Sequence, residues 1–65
     1  MEELLTPEDV SRILGVPLKT IAHWRTNRSG PIFLRVGGNV RYRRCDLEEW
    51  VEERVAETRQ WMAAS

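Results

Sequence analysis

The first third of the chain has apolar residues at helical spacing. One stripe stands at positions i, i+3 and i+4 and consists of Val10, Ile13 and Leu14. Upstream of it, Thr6 can cap a helix and Pro7 fits the first helical position. Gly15 follows the stripe, where a left-handed residue commonly ends a helix. The pattern therefore predicts a helix from Pro7 to about Leu14.

A second helix is predicted from Leu18 to about Thr26, with Pro17 before or at its first turn. Ile21 and Trp24 share the face that would be buried. The remaining positions point elsewhere and are Lys19, Thr20, Ala22, His23 and Thr26. Two short helices joined by a tight turn that contains glycine are typical of a helix-turn-helix unit.

A β-hairpin is predicted next. Asn27 to Pro31 is turn-forming, and the segments Phe33–Val36 and Val40–Arg43 then alternate apolar and basic residues around Gly38-Asn39. Because strand side chains alternate between faces, one face is expected to pack on the core and the other to be basic. The predicted core face holds Leu34, Val36, Val40 and Tyr42, and the predicted basic face holds Arg35, Arg41 and Arg43. This hairpin would form a basic wing.

A third helix is predicted to begin with Asp46 as its cap. Its apolar stripe consists of Leu47, Trp50, Val51, Val55, Thr58, Trp61 and Met62. Its solvent-exposed face is expected to hold Glu48, Glu49, Glu52, Glu53 and Glu57. A domain this small can cover only the first turns, so Val55, Trp61 and Met62 are expected to fray or to form a docking surface, and we favour docking. Residues 1–65 are thus predicted to be one domain, with a core over about 4–51 and a helical extension over about 52–65.

Charge is separated along the chain although the net charge is zero. The stretch from Val10 to Cys45 holds eight basic residues and no acidic one, and all ten acidic residues lie outside it. A basic block on one face is the electrostatic footprint of a phosphate-binding surface. A solvated charged face without a partner is the alternative, and for a charge run alone it is the commoner one.

Several classes of protein are disfavoured by composition. A single cysteine, Cys45, excludes an intrachain disulfide, and with the single His23 it cannot build a structural zinc site, so no metal or other cofactor is expected. No apolar run approaches the length of a membrane span, and we expect a soluble, cytoplasmic protein. Carboxylates confined to the ends, with one histidine, do not suit an active site, so the chain is predicted not to be an enzyme.

A series of short motifs follows in order along the chain. They are Leu5-Thr6-Pro7-Glu8, Leu14-Gly15-Val16-Pro17, Thr20-Ile21, Trp24-Arg25, Gly30-Pro31, Arg35-Val36-Gly37-Gly38, Val40-Arg41-Tyr42, Asp46-Leu47 and Glu49-Trp50. Over about Leu4 to Val51, this series resembles the small winged helix-turn-helix domains related to MerR, which include phage excisionases and AlpA-type regulators. The resemblance implies a mainly α fold with a small β-hairpin. It also implies a DNA-binding protein of the bacterial host cell, associated with the nucleoid.

The resemblance implies that the second helix enters the major groove and that the wing reaches the adjacent minor groove or its phosphates. Residues expected to contact bases or phosphates from the helix are Lys19, Thr20 and His23, with Arg25 and Arg28 on the DNA backbone. Those expected on the wing are Asn39 at its tip, Arg41 and Arg43. The chain has Ala22-His23 where an aromatic residue followed by arginine is common, which shifts the expected balance from base readout toward phosphate contacts and DNA shape.

The leading hypothesis for the role is an excisionase, or recombination directionality factor. Such a protein would bind tandem sites cooperatively, bend the DNA and direct a phage integrase toward excision. Three features favour it: the chain is little more than a DNA-binding domain, the wing sequence Phe33–Gly38 looks like the phage branch, and the acidic ends could meet the basic block of a neighbour head to tail.

Two alternatives remain open. The first is a small transcription regulator of the same family that is dimeric through the third helix. A finding of one palindromic site per promoter, instead of tandem direct repeats, would favour it. The second is a protein-interaction module that uses the Trp61-Met62 end and binds no nucleic acid.

Overall fold

A computed structural model describes residues 3–64 and shows a small, mainly helical domain. The helices are α1 (Pro7–Leu14), α2 (Leu18–Asn27) and α3 (Arg44–Ala64). The strands are β1 (Leu4–Leu5), β2 (Leu34–Val36) and β3 (Asn39–Arg43), which form an antiparallel sheet in the order β1-β3-β2. None of the helices in this described range is both long and apolar enough to cross a membrane.

Helix α1 begins and ends where the sequence predicts. Thr6 Oγ1 accepts a hydrogen bond from the Asp9 backbone N–H, and the Asp9 carboxylate accepts one from the Thr6 backbone N–H, both at 3.0 Å. These reciprocal bonds satisfy two amides that the first turn leaves without a helical partner. At the other end Gly15 has φ +70°, and its N–H donates to the Ser11 carbonyl at 2.8 Å. Local chemistry therefore determines both ends of α1.

Helix α2 is one residue longer than predicted. It ends at Asn27, and Arg28 follows in the left-handed conformation with φ +58°. Ile21 is fully buried, while Trp24 is half-buried and packs against Trp50 with 5.2 Å between ring centroids. The predicted buried face of α2 is thus confirmed.

The hairpin register differs from the prediction. Val36 pairs with Asn39, so the turn contains only Gly37 and Gly38, both at positive φ as a two-residue turn of type I′ requires. Leu34 then lies opposite Arg41, and residues directly opposite one another share a face.

The predicted faces of the hairpin are therefore wrong. Leu34 and Val36 lie on the face with Arg41 and Arg43, while Arg35 lies on the face with Val40 and Tyr42. The prediction included Asn39 in the turn, and a one-residue change of register moves the side chains of one strand to the opposite face relative to its neighbour.

The core forms where α1, α2 and the first turn of α3 meet the sheet. Its buried residues are Leu5, Val10, Ile21, Tyr42 and Leu47. Tyr42, at 1% exposure, lies opposite Leu5 in the sheet and is among the largest fully buried side chains. In the α1 stripe, Val10 is buried and Leu14 half-buried, whereas Ile13 at the edge is 45% exposed.

Helix α3 begins earlier than predicted. It starts at Arg44, directly after β3, so Asp46 lies inside the first turn and the prediction that Asp46 is the cap is wrong. Its carboxylate instead accepts hydrogen bonds from the Arg43 guanidinium. The 21 residues of α3 span about 31 Å.

The far end of α3 projects past the core. Val51 and Val55 are half-buried, whereas Trp61 is 72% exposed and Met62 is 62% exposed. The helix continues unbroken as far as Ala64. It thus presents Trp61 and Met62 to solvent on a regular helix, as a docking surface would require.

Candidate nucleic-acid interface

The exposed face of α2 combines a cation, hydroxyl groups and an imidazole. A shallow depression on this face is lined by Lys19, Thr20, Ala22, His23 and Thr26. Lys19 and His23 are exposed and Thr20 is half-buried. The helix contains no acidic residue, so nothing on it repels a phosphate. The three residues predicted on this helix face therefore lie together, although DNA contact by them remains a prediction.

His23 is positioned by a neighbour that the sequence analysis did not single out. The Asn27 side-chain amide Nδ2 lies 2.7 Å from His23 Nε2, one helical turn away. With the amide in this orientation, Asn27 donates to the unprotonated ring nitrogen. The i, i+4 spacing was the available signal in the sequence. Asn27 thus orients the imidazole on the exposed face of α2.

Arg25 and Arg28 lie at the end of α2, beside the loop that leads to the hairpin. Arg25 Nη1 donates to Tyr42 Oη at 3.3 Å, and Arg25 is half-buried, whereas Arg28 is exposed. Both line a concavity whose other lining residues are Ser29, Gly30, Pro31, Ile32 and Phe33. Since Tyr42 belongs to β3, the hydrogen bond from Arg25 connects α2 to the hairpin. This connection was not predicted from the sequence.

The hairpin presents its predicted residues in a changed arrangement. Gly37 and Gly38 form the tip, so the prediction that Asn39 lies at the tip is wrong, and Asn39 is the exposed first residue of β3. Arg41 is half-buried, and its Nη1 donates to the Val40 carbonyl at 2.7 Å. Arg35 lies on the other face, with its guanidinium carbon 6.0 Å from the centroid of the Phe33 ring.

Arg43 is engaged within the fold. Its Nε donates to Asp46 Oδ2 at 2.6 Å and its Nη2 donates to Asp46 Oδ1 at 2.9 Å. Bidentate arginine–carboxylate pairs of this kind are among the stronger hydrogen-bonded contacts in proteins. A DNA contact by Arg43 stays a prediction, and the guanidinium would have to share or leave this carboxylate to make one.

Most of the basic block has no acidic partner. Of its eight basic residues, Arg12 pairs with Asp9 and Arg43 pairs with Asp46. Within residues 3–64 the other six have no ion pair, and they are Lys19, Arg25, Arg28, Arg35, Arg41 and Arg44. They lie on α2, on its C-terminal cap, on the hairpin and at the start of α3. Five of these six cations therefore lie on α2, its cap and the hairpin, which are the elements that the sequence predicts to meet DNA.

Comparison with known proteins agrees with this architecture. A family model described as a helix-turn-helix domain matches residues 4–55, which comprise α1, α2, the sheet and the first half of α3. No significant match was found among curated proteins or among solved structures. Helix-turn-helix domains commonly bind double-stranded DNA, which suggests DNA as the partner. Since the match covers most of the chain, the protein belongs to the helix-turn-helix domain family.

Proposed function

We propose that this protein binds double-stranded DNA through α2 and the β2–β3 hairpin. The observation that carries the proposal is the concentration, on and around these two elements of a helix-turn-helix domain, of six cations that have no acidic partner within residues 3–64. Phosphate neutralisation by such cations supplies most of the affinity for DNA that does not depend on base sequence.

The proposed contacts use side chains of these two elements and of the end of α2. α2 enters the major groove with Lys19, Thr20 and His23 toward the base edges and phosphates. Arg25 and Arg28 meet the backbone beside it. The hairpin, with Asn39 and Arg41, reaches the neighbouring minor groove or its phosphates, in the manner of a MerR-like winged domain. No catalytic step is assigned to the protein, which acts by binding and shaping DNA.

The role that we favour is an excisionase that directs an integrase toward excision. The helix-turn-helix family of this chain includes AlpA-like and excisionase-like proteins, and the ordered motifs from Leu5 to Trp50 resemble that branch. The acidic face of α3 supports head-to-tail assembly because Glu48, Glu49, Glu52 and Glu53 are exposed and have no ion pair among the described residues. A neighbour's basic surface on the same duplex would neutralise them.

Assembly of this kind explains how a small domain could bend DNA. Head-to-tail contacts do not close, so they continue as an open filament along the duplex. A curved filament would hold a bend whose elastic cost is on the order of a few kcal/mol, offset by the contacts that each added copy makes. Cooperative filling of tandem sites would also compensate for weak binding by a single copy.

A mobility-shift titration at near-physiological salt tests the proposal. The attachment-site DNA of the source element is compared with a scrambled duplex of equal length. Stepwise, cooperative complexes with anomalously slow migration on the attachment DNA alone are expected for tandem binding with bending. Equal, weak binding to both duplexes would remove the excisionase role.

Charge reversal on α3 tests the filament itself. The double variant Glu49→Lys with Glu53→Lys is expected to bind a single isolated site as the wild type does, because α3 does not enter the groove in this arrangement. It is expected to lose cooperative filling of repeated sites. Retained cooperativity would contradict the head-to-tail contact and leave the DNA-binding surface unaffected.

A small transcription regulator is the second candidate. The observation that favours it is the unbroken α3 with exposed Trp61 and Met62, which offers a surface for pairing two copies. One inverted site at a promoter would support a regulator, whereas tandem direct repeats beside an integrase gene would support an excisionase.

A further inference from the structure

The exposed surface of α2 carries a ridge in which one side chain orients another. Lys19, His23 and Asn27 are each four residues apart, so they follow one another along the helix at intervals of about one turn. All three side chains are exposed. Within the ridge, Asn27 Nδ2 lies 2.7 Å from His23 Nε2. One edge of the His23 ring therefore has a partner inside the protein, and the other edge is left for a ligand.

The hydrogen bond to Asn27 determines which ring nitrogen of His23 carries the proton. A neutral imidazole has one N–H donor and one bare nitrogen that accepts. Because Nε2 accepts from the Asn27 amide, the proton of the neutral ring is on Nδ1. Nδ1 has no hydrogen-bond partner among the described residues. His23 thus offers a ligand one donor, Nδ1–H.

The surface beside the ring is shaped to admit a base edge. His23 lines a shallow depression together with Lys19, Thr20, Ala22 and Thr26. Ala22 contributes only a methyl group, and the Thr26 hydroxyl donates back to the Ala22 carbonyl at 3.3 Å. Lys19 and His23 are then the two nitrogen groups that line the depression, and both present donors.

A surface that presents donors matches one base in particular. In the major groove guanine shows two adjacent acceptors, N7 and O6, whereas adenine and cytosine each show an amino donor and thymine shows one acceptor beside a methyl group. We propose that Asn27 holds His23 with its Nδ1–H toward the major-groove edge of guanine, so that the two residues together specify a G·C pair. This inference deepens the proposed function and rests on it.

The two residues have different parts in this contact. His23 touches the base, and Asn27 is a positioning residue because it acts through the ring of His23. A phosphate oxygen is the other acceptor that DNA offers to the same N–H. A neutral ring adds no charge attraction to a phosphate, and a phosphate contact carries no sequence information. The two acceptors therefore differ in whether the loss of His23 depends on base sequence.

A selection from a pool of random duplexes, followed by affinity measurements, tests the base contact. The full chain enriches its preferred duplex, each base pair of that duplex is then replaced in turn, and fluorescence anisotropy gives the affinities. For the wild type, replacement of one G·C pair by A·T is expected to weaken binding about fivefold, as for one lost hydrogen bond. For His23→Ala the same replacement is expected to have no effect.

The outcomes of this measurement separate the inference from the proposed function. If DNA is bound but His23→Ala weakens binding to every duplex equally, or if His23 is coupled to a pair other than G·C, the guanine contact is wrong and DNA binding stands. If the wild type binds no duplex, the proposed function is wrong and the guanine contact falls with it.

Two substitutions at position 23 identify the ring nitrogen that contacts the base. In His23→Asn the side-chain amide occupies the place of Nδ1, whereas in His23→Gln it reaches the place of Nε2. The preference for G·C over A·T is expected to persist in His23→Asn and to be lost in His23→Gln. The reverse result would overturn the assignment of Nδ1 as the donor.

NMR of the protein without DNA tests the role of Asn27. Long-range ¹H–¹⁵N correlation at about pH 8, above the range in which an unperturbed imidazole titrates, reports which ring nitrogen of His23 is protonated. Nδ1–H is expected in the wild type, and a shift toward Nε2–H is expected in Asn27→Ala, together with a smaller preference for G·C. Gln60→Ala, which removes an exposed amide from α3, is the control and should leave the tautomer unchanged. Protonated Nε2 in the neutral ring of the wild type would overturn the proposal.

The salt dependence of binding separates a neutral base contact from a cationic phosphate contact. At about pH 8 a neutral His23 displaces no counterion, so His23→Ala is expected to keep the wild-type slope of log K against log salt. A slope reduced by about one unit would mean that His23 binds phosphate as a cation, and would overturn the guanine contact. Far-UV circular dichroism checks that each variant folds, which is expected because the changed side chains are exposed.

Discussion

Arg43, the last residue of β3, holds Asp46 in the first turn of α3 through two hydrogen bonds, Nε to Oδ2 at 2.6 Å and Nη2 to Oδ1 at 2.9 Å. The Asp46 side chain is 8% exposed, whereas that of Arg43 is 54% exposed. Since no loop separates β3 from α3, this pair braces the junction where the strand turns into the helix. Arg43, which is predicted from the sequence to contact DNA, thus also contributes to the fold.

Replacing Arg43 with alanine is expected to destabilise the protein. The change removes two hydrogen bonds from a nearly buried carboxylate, which typically costs about 1–3 kcal/mol. Urea denaturation followed by circular dichroism measures the free energy of unfolding. Arg35→Ala is the control, because it removes an exposed cation of the same hairpin that has no acidic partner among residues 3–64, and it is expected to change stability by less than about 0.5 kcal/mol. Equal losses in the two variants would show that the Arg43–Asp46 pair does not brace the junction.

Replacing Arg41 with alanine is expected to act on DNA binding. Loss of one phosphate contact should weaken binding to all sequences and reduce the slope of log K against log salt by about one unit. Fluorescence anisotropy over a series of salt concentrations gives this slope. Arg54→Gln removes a charge from α3 instead and should leave the slope unchanged. If the slope does not change in Arg41→Ala either, the hairpin is not part of the DNA interface.

Replacing Gly30 with alanine is expected to disturb the contact between α2 and the loop that follows it. A Cβ atom at this position would lie 2.6 Å from Trp24 Cε3, and the residue has φ +76°. Clash and strain together should cost about 2 kcal/mol or more. Gly38 has a similarly positive φ, +85°, but a Cβ there would have no described atom within 4 Å apart from its own chain neighbours. Gly38→Ala therefore isolates the backbone strain and should cost about 1 kcal/mol. Thermal unfolding of the two variants separates the clash from the strain, and equal losses would contradict the predicted clash.

The helices could be predicted from the sequence because their signals are local. Thr6 and Asp9 are three residues apart, and a capping box involves only those residues and their own backbone. Gly15 likewise ends α1 through its own conformation. The hairpin could not be predicted in the same way, because Gly37-Gly38-Asn39 is compatible with turns of different length. Only the pairing of Val36 with Asn39 determines which faces Leu34 and Arg41 occupy.

The candidate site also has one part that could be predicted from the sequence and one part that could not. The residues on α2 could be placed on one face because a single helix fixes their relative positions. The contact of Arg25 could not be predicted because its partner, Tyr42, belongs to another element, the strand β3. The contact of Arg43 could not be predicted because its partner, Asp46, has a second possible role. Asp46 suits a helix cap as well as an ion pair, and the sequence does not decide between the two.

Acid is expected to destabilise the start of α1 through Asp9. The backbone N–H of Thr6, and then Arg12, hold the pKa of the Asp9 carboxyl below its ordinary value of 3.8. Because the folded state favours the ionised form, this stabilisation is fully present above that value and is lost as the pH falls through the lower folded pKa. Asp9→Asn should therefore reduce the loss of stability between about pH 6 and about pH 2.5, measured by urea denaturation. Glu8→Gln removes a neighbouring charge without changing the hydrogen bonds to Thr6, and it should keep more of the wild-type acid sensitivity. An undiminished loss of stability in Asp9→Asn would mean that acid acts on the protein elsewhere.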